Sequence, residues 1–221
     1  MRLAIAIPAY DAVHSIASVV RRSRAIMSDV LVIDDGSTDG TAEAARSAGA
    51  EVHSFPANRG KGAALSAAFT ILFGRGFTAV ITVDADGQHL PEEIPRLLAA
   101  DGDLVLGARD HLFAEMGTLR RFSNRLSSRA ISWAAGQQLT DVQTGFRLYT
   151  RALVEQTGFA ETGFEAESAV VVRAVRRGLK VTSTPVRLGN ADGRGTSHYR
   201  PVIDSLRIAA GVFRARYGGP K

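Results

Sequence analysis

Two aspartates, Asp84 and Asp86, stand one residue apart directly after the apolar, β-branched run at residues 79–83. Two carboxylates this close repel each other unless a cation or a hydrogen-bond network compensates their charge. Carboxylate oxygens on a short turn suit Mg²⁺ or Mn²⁺, whose remaining positions are usually filled by phosphate oxygens. A solvated, aspartate-rich turn is the alternative. Because a buried strand would carry both side chains to the carboxyl end of a sheet, where open α/β sheets bind ligands, we favour a metal site.

A second apolar run, residues 30–33, also ends in carboxylates, at Asp34 and Asp35. Ser37 or Asp39 can cap the helix that follows. One cap needs only one carboxylate, so a structural turn does not account for the adjacent pair. We therefore expect Asp35 to accept hydrogen bonds from a nucleobase or ribose, and Asp34 to brace the fold.

Residues 58–62 combine two glycines with two cations, Arg59 and Lys61, at the start of a predicted helix. Backbone N–H groups and positive side chains at such a place can cradle an anion. The stretch is not a P-loop, because Pro56 and Gly62 replace the first glycine and the hydroxyl residue of that motif. It predicts a phosphate contact, with a plain helix start as the alternative.

Polar groups also follow other predicted strands. Tyr10 and Asp11 come after the first strand, and Arg109 follows residues 104–106. Residues 141–147 bring an acid, an amide, a hydroxyl and a guanidinium together within seven positions. Each group has an alternative interpretation as a turn or surface residue. Their convergence on one edge of a sheet indicates a functional site more strongly than any single motif.

The spacing of apolar residues alternates between strand and helix patterns from the first residue onward. The predicted strands span residues 3–7, 30–33, 51–54, 79–83, 104–106, 146–149 and 181–187. The predicted helices span residues 14–26, 39–48, 62–73, 118–135, 165–177 and 201–217, and another begins at Pro91. This order predicts an α/β fold, in one domain, with a mostly parallel sheet and helices on both faces.

The composition excludes several classes of protein. The 221 residues are 45% hydrophobic and 22% charged, as in ordinary globular domains, and they include no cysteine for disulfides or thiolate metal sites. No apolar stretch approaches the roughly 18 residues of a spanning helix, and the first residues do not form a signal peptide. We expect a cytoplasmic protein that at most contacts the inner face of the membrane. Its net charge of +5 favours an anionic partner, but the chain lacks the basic stripe of a nucleic-acid-binding protein.

The motifs together resemble those of family 2 glycosyltransferases with the GT-A fold. The similar stretches are residues 7–10, 32–39, 58–62 and 84–89. Residues 141–147 and 164–167 resemble the branch that contains polyprenyl-phosphate (dolichyl-phosphate) mannosyl- and glucosyltransferases. The resemblance runs in the expected order from residue 3 to about residue 188.

This resemblance implies a single GT-A domain over residues 1–221, with a Rossmann-like sheet. Residues 1–107 would bind the nucleotide sugar, and residues 108–221 would bind the acceptor and end in an amphipathic helix. The implied reaction is inverting transfer of a hexose from a UDP- or GDP-linked sugar, with Mg²⁺ or Mn²⁺ as cofactor.

We prefer a polyprenyl phosphate as the acceptor, because its phosphate is already an anionic nucleophile near neutral pH. A sugar or lipid hydroxyl in cell-envelope synthesis is the alternative acceptor, and it would need a general base. A non-catalytic nucleotide-sugar-binding protein is the alternative from a different class.

The resemblance also implies roles for individual residues. The nucleotide-sugar site would comprise Pro8, Tyr10, Asp11, Asp35, Lys61 and Asp84. The metal ligands would be Asp84, Asp86 and Gln88. The acceptor would meet Arg121, Arg125, Thr144 and Glu165. The catalytic residues would be Asp86, Asp141, Arg109 and Arg147, with both arginines near phosphates and with Asp141 and Glu165 as the candidate general bases. Residues 189–197 would form a lid over the donor.

Overall fold

A computed structural model describes residues 1–109, 128, 131–139, 141–189 and 201–217 of the chain, the last range with side chains from residue 208 onward. The predicted acceptor residues Arg121 and Arg125 lie outside the described residues, as do residues 190–197 of the predicted lid. The helix predicted over residues 118–135 is described at residues 128 and 131–135, which are helical.

The predicted elements appear in the predicted order, and the structure adds one helix that was not predicted, at Arg151–Thr157. The strands are β1 (Leu3–Ala9), β2 (Val30–Asp34), β3 (Glu51–Ser54), β4 (Ala79–Thr82), β5 (Leu104–Ala108), β6 (Arg147–Thr150) and β7 (Val181–Pro185). The helices are α1 (Val13–Ile26), α2 (Thr41–Ser47), α3 (Lys61–Gly74), α4 (Ile94–Ala99), α5 (Arg151–Thr157), α6 (Glu165–Arg176) and α7 (Pro201–Tyr217), with a 3₁₀ turn at Pro91–Glu93 before α4. Each predicted strand is confirmed, with bounds that differ by at most two residues at either end.

The strands form one sheet in the order β3-β2-β1-β4-β6-β5-β7. Strand β6 runs antiparallel to both neighbours, and the other pairs are parallel, so the predicted mostly parallel sheet is confirmed. The chain winds outward from β1 to β3 and then returns to the opposite side of β1 for β4. The strand order therefore reverses between β1 and β4, and open α/β sheets bind their ligands at such a point.

A gap opens at this point because the two ladders of β1 end at different residues. Pairing between β1 and β4 ends at Ala6 and Thr82, whereas pairing with β2 continues to Ala9. Pro8 is the next residue of β1 that would donate toward β4, and proline has no N–H to donate. The segments that follow β1 and β4 separate there, and Asp84 emerges beside the gap.

Apolar side chains cover both faces of the sheet. Along β1, Ile5 and Ile7 belong to one fully buried cluster with α1 and α4, while Ala4 and Ala6 belong to another with Phe69 of α3. This alternation follows from the two-residue repeat of a strand that is buried on both sides. The prediction of helices on both faces is therefore confirmed. In the part of the chain that the structure describes, no helix combines the length and the hydrophobicity of a transmembrane span.

Arg147, the first residue of β6, lies entirely in the interior with no exposed surface. Its Nε, Nη1 and Nη2 atoms donate to the backbone carbonyls of Thr144, Glu167 and Val142 at 2.7, 2.8 and 2.8 Å. This placement contradicts the predicted contact between Arg147 and a substrate phosphate, because a fully enclosed guanidinium cannot reach a bound ligand. Arg147 instead ties the segment before β6 to α6.

Replacing Arg147 tests this structural role. We expect Arg147→Met to lower the free energy of unfolding by about 3–5 kcal/mol, because three buried carbonyls lose their donor and Glu167 loses a neighbouring charge. Urea denaturation of the purified protein measures the loss. The matched control is Arg46→Met, which removes an exposed arginine and should cost less than about 0.5 kcal/mol. Equal losses in the two variants would contradict the role.

Candidate active site

The ammonium group of Lys61 lies between two carboxylates at the carboxyl edge of the sheet. Lys61 Nζ is 2.8 Å from Asp84 Oδ1 and 2.9 Å from Glu167 Oε2. Lys61 is the first residue of α3, Asp84 follows β4, and Glu167 lies in the first turn of α6, so one cation joins three elements. Burial opposes the charge of Lys61, but the two carboxylates outweigh burial and raise its pKa above the ordinary value. Lys61 is therefore a permanent positive charge next to Asp84.

Asp84 is held as an anion in a position that only a glycine neighbour permits. Burial alone would raise its pKa, but the charge of Lys61 lowers the pKa of Asp84 to about 2. The carboxylate rests against Gly145, where an added Cβ would collide with both of its oxygens. Thr82 Oγ1 donates to the carbonyl of Gly145 at 2.8 Å and fixes that backbone. Asp84 is thus oriented before any ligand arrives.

The carboxylate of Asp84 already contacts Lys61, whereas the carboxylate of Asp86 can still bind a cation. Its Oδ1 accepts the backbone N–H of Gln88 at 2.9 Å, and Asp86 takes part in none of the ion pairs between described side chains. Burial, together with the neighbouring charge of Asp84, raises the pKa of Asp86. A cation placed beside Asp86 would relieve both effects.

The acids at this edge fit a divalent ion that shares its shell with a ligand. Among the described residues, no group of three or more acidic or histidine side chains is arranged to hold a metal ion. The oxygen donors here are the carboxylates of Asp84 and Asp86. Mg²⁺ commonly binds through one or two carboxylates, substrate phosphates and water, so this donor set fits Mg²⁺ or Mn²⁺. Gln88, which is half-buried on the same turn, stays a candidate ligand.

His89 lies behind the two aspartates as a neutral ring. It stacks on Phe146 with ring centroids 5.5 Å apart, and its Nε2 is 3.3 Å from Thr144 Oγ1. Burial lowers the pKa of His89 to about 4, so its Nδ1, 3.6 Å from Asp84 Oδ2, makes no ion pair near neutral pH. Thr144 has no exposed surface, which contradicts its predicted contact with the acceptor. The hydroxyl of Thr144 instead accepts the N–H of Phe146 at 3.2 Å.

Arg109 and Asp141 form a buried pair beside the same site. The Arg109 Nε and Nη2 atoms donate to Asp141 Oδ2 and Oδ1 at 2.6 and 2.9 Å, and the Arg109 N–H donates to Oδ2 at 2.9 Å. Burial works against the charge of Arg109, but Asp141, Asp84 and Asp86 together raise its pKa. Three donors from one residue hold the Asp141 carboxylate in place. Its geometry is that of a counterion for Arg109 and not that of a free base.

Asp35 fastens the loop that leads into α3. Its two oxygens accept the backbone N–H groups of Arg59 and Gly60 at 2.7 and 2.8 Å. Burial raises the pKa of Asp35, although these two hydrogen bonds oppose the shift. Asp34 Oδ1 accepts the N–H of Ser37 at 3.2 Å, so its predicted bracing role is confirmed. The carboxylate expected to bind a nucleobase or ribose therefore already accepts two backbone N–H groups of the loop before α3.

The segment after β1 is hydrogen-bonded to the loop after β2. Asp11 has a positive φ of 45°, its N–H donates to Ser37 Oγ at 2.9 Å, and its Oδ1 accepts the N–H of Thr38 at 2.9 Å. Pro8 and Tyr10 are half-buried on the same segment. These contacts couple the loops after β1 and β2 at the place where the sheet opens.

Glu165 and Glu167 point in different directions from α6. Glu165 Oε1 accepts the N–H of Gly163 at 3.3 Å, its Oε2 is buried without a hydrogen-bond partner, and its Cβ packs against Gly211 of α7. Glu167 turns instead to Lys61, because residues two apart on a helix do not share a face. Sequence reasoning selected Glu165 and missed Glu167. The sequence did contain a signal, because residues 164–167 include a second acid. On a helix, the spacing of these two acids directs their side chains to different faces.

Comparison with known proteins identifies the family that the chain matches. Residues 4–158 match glycosyl transferase family 2. The chain is 32% identical over 206 residues to undecaprenyl-phosphate mannosyltransferase of Micrococcus luteus, covering 84% of this chain and 83% of that protein. It is 31% identical over 205 residues to polyprenol monophosphomannose synthase of Mycolicibacterium smegmatis, covering 84% and 76%.

A solved structure supports the same fold. Glucosyl-3-phosphoglycerate synthase from Mycobacterium tuberculosis, in complex with Mn²⁺, UDP and phosphoglyceric acid, superposes with a TM-score of 0.75 at 21% identity. The superposition covers all of this chain and 80% of that one. The predicted GT-A architecture is thereby confirmed.

The close approach of Gly145 to Asp84 can be tested by adding a methyl group. We expect Gly145→Ala to lower the free energy of unfolding by about 1–3 kcal/mol, because the new Cβ would overlap the Asp84 carboxylate. Urea denaturation measures the difference. Gly74→Ala is the matched control, since a Cβ there meets nothing within 4 Å and alanine favours a helix. A Gly145→Ala protein as stable as the control would show that the site has room for a side chain.

The neutral state of His89 predicts its titration behaviour. In the metal-free protein, the ring-proton chemical shifts of His89 should show no inflection between pH 5 and 8, whereas an unperturbed histidine titrates near about pH 6.5. Because the pKa of His89 is about 4 in the folded protein, its contribution to stability is complete above about pH 6.5 and is lost as the pH falls toward 4. Nuclear magnetic resonance with His89→Gln as the assignment control measures this. An inflection near pH 6.5 that disappears in the variant would contradict the buried neutral ring.

Proposed function

Because the chain belongs to glycosyl transferase family 2, we propose that it transfers a hexose from a UDP- or GDP-linked sugar to a polyprenyl phosphate. The transfer inverts the configuration at the anomeric carbon. Two relatives, named for undecaprenyl-phosphate mannosyl transfer and for polyprenol monophosphomannose synthesis, support this choice of acceptor over most of the chain.

The proposal is carried by the placement of Asp141 and Glu165, the two acids predicted as candidate general bases. Asp141 accepts three N–H groups of Arg109, and Glu165 is buried beneath α7. A hydroxyl acceptor must lose its proton to a base within hydrogen-bond reach. A phosphate monoester is already an anion near neutral pH and needs no such base. The geometry of both acids therefore favours a phosphate acceptor.

The chemistry is a single displacement. A phosphate oxygen of the acceptor attacks the anomeric carbon, the bond from that carbon to the nucleoside diphosphate breaks on the opposite face, and the electron pair leaves with the diphosphate. Arg109, whose charge is balanced mainly by Asp141, provides positive potential where the leaving group gains charge. When bound, a divalent ion held by Asp84 and Asp86 supplies Lewis-acid neutralisation of the diphosphate.

Each half of the chain has a distinct role in this proposal. Residues 1–107 bind the donor, with Pro8, Tyr10, Asp11 and Asp35 lining the gap for the nucleobase and ribose. Lys61 contributes by fixing Asp84, because its own charge is shared by two carboxylates. Residues 108–221 meet the acceptor, for which Arg121 and Arg125 remain the proposed phosphate contacts.

An acceptor comparison tests the proposal. With a panel of UDP- and GDP-hexoses, we expect product on a polyprenyl phosphate in detergent and at least about a hundredfold less on free sugars or phosphoglycerate, because neither Asp141 nor Glu165 is placed to deprotonate a hydroxyl. Chromatography of radiolabelled products measures both. Product on hydroxyl acceptors but never on the polyprenyl phosphate would overturn the acceptor assignment, and binding without any transfer would favour a nucleotide-sugar-binding protein.

Asp86→Asn tests the proposed metal role by thermal unfolding. Without metal, the variant should melt at a higher temperature than the unaltered protein, because it removes a buried charge that burial and Asp84 disfavour. With UDP or GDP present, it should also lose the extra stabilisation that Mn²⁺ brings. Asp101→Asn, at an exposed side chain paired with Lys180, is the matched control and should change neither. Metal-dependent stabilisation that persists in Asp86→Asn would contradict the role.

A further inference from the structure

Three large aromatic side chains stand exposed on one part of the surface. Trp133 is 67% exposed, Phe213 is 63% exposed, and Tyr217 is 58% exposed. We call these three residues, together with Arg214 and Arg216, the aromatic patch. Soluble proteins seldom group exposed apolar side chains in this way unless the group meets a partner or a membrane.

The patch is held in a defined arrangement. The guanidinium of Arg216 lies 4.3 Å from the ring centroid of Trp133 and 5.4 Å from that of Tyr217, and the rings of Phe213 and Tyr217 are 4.7 Å apart. Arg216 Nη1 also donates to the carbonyls of Trp133 and Ala134 at 2.9 and 2.7 Å. These bonds connect the end of α7 to the helical segment at residues 131–135.

Helix α7 presents an apolar outer face as well as a buried inner face. Its inner residues Ile208, Val212 and Ala215 belong to the core next to α6. Its outer residues are Ala209, Ala210, Phe213, Arg214 and Tyr217. A helix that is already packed on one side gains nothing from exposed aromatics unless a second apolar phase covers them.

The charges of this surface indicate an anionic partner. Over residues 208–217 the only charged side chains are Arg214 and Arg216, and both are positive. The nearby acid Glu161 is bound by Arg173 at 2.6 Å, and no ion pair between described residues includes Arg214 or Arg216. Aromatic rings that sit at the headgroup level, next to arginines that meet lipid phosphates, are the typical pattern of an interfacial contact.

The patch also lies on the acceptor side of the molecule. Gly211 of α7 packs against Glu165, which begins α6, and Glu167 in the same turn pairs with Lys61 of the active site. Phe213 follows only two residues after this contact. The patch therefore belongs to a helix that packs on the half of the protein in which we place the lipid acceptor.

We propose that the aromatic patch docks the protein on the surface of an anionic phospholipid bilayer. This inference rests on the proposed function, because a lipid acceptor is the reason for the protein to bind a membrane. The binding itself is measured without any transfer reaction. The rings enter the headgroup layer, and Arg214 and Arg216 pair with lipid phosphates.

Trp133 allows a direct test, because it is the only tryptophan in the chain. The intact protein is titrated with vesicles of phosphatidylcholine and phosphatidylglycerol that contain no polyprenyl phosphate. We expect the emission of Trp133 to move to shorter wavelength and to be quenched by lipids brominated near the headgroup. Vesicles of pure phosphatidylcholine, or a high salt concentration, should weaken binding, because the lipid charge that attracts the arginines is absent or screened.

Variants distinguish binding through the aromatic patch from nonspecific binding to vesicles. Phe213→Ala with Tyr217→Ala keeps the Trp133 probe and should weaken vesicle binding about tenfold or more, and Arg214→Gln should weaken it on anionic vesicles only. Leu98→Ala, at an exposed leucine of α4, is the matched control and should bind as the unaltered protein does. Circular dichroism establishes that each variant is folded.

The outcomes are distinct from those of the transfer assay. Absence of an emission shift with anionic vesicles, or equal binding by the double variant and the Leu98 control, overturns the inference. Self-association through the patch, seen as a dimer by sedimentation that Phe213→Ala disrupts while vesicles have no effect, also overturns it. Vesicle binding without transfer to polyprenyl phosphate would retain the docking surface and reject the acceptor.

Discussion

The shared ammonium of Lys61 is the interaction on which the site depends. A buried lysine is costly unless carboxylates surround it, and here Asp84 and Glu167 both contact it within 3 Å. Because Lys61 starts α3, Asp84 follows β4 and Glu167 lies in the first turn of α6, the ion triad fixes these three elements relative to one another. Removing Lys61 would leave the carboxylates of Asp84 and Glu167 without the cation that they share.

The same pairing decides which groups stay available for chemistry. Lys61 balances Asp84, Arg109 balances Asp141, and Arg147 lies among backbone carbonyls with Glu167 nearby. Asp86 keeps an unpaired carboxylate at the edge of the gap between β1 and β4. Among the described residues, Asp86 and the Asp84 oxygen that Lys61 does not contact remain able to bind a cation, and both candidate bases lie in positions unsuited to deprotonating a hydroxyl.

Residue patterns predicted β1, β2, β4 and β5 well because these strands are mainly apolar runs, and polar groups that follow such runs must emerge at the carboxyl edge. The motif of Asp84 and Asp86 was identifiable for that reason. Arg147 and Thr144 were misassigned because a polar residue in a short motif looks the same whether it contacts a ligand or the interior. Which of these occurs depends on the antiparallel insertion of β6, and that pairing has no local signature.

The sequence by itself determined the family, the alternation of strands and helices, and the acids at the ends of β2 and β4, because these are properties of local order along the chain. Only the tertiary structure decided that Glu167 and not Glu165 meets Lys61, that Asp141 serves Arg109, and that Trp133 stands beside α7. Each of these pairs joins residues far apart in the chain. These contacts form because of the way the helices pack on the sheet. Burial and charge compensation then select one partner among several residues with the same chemistry.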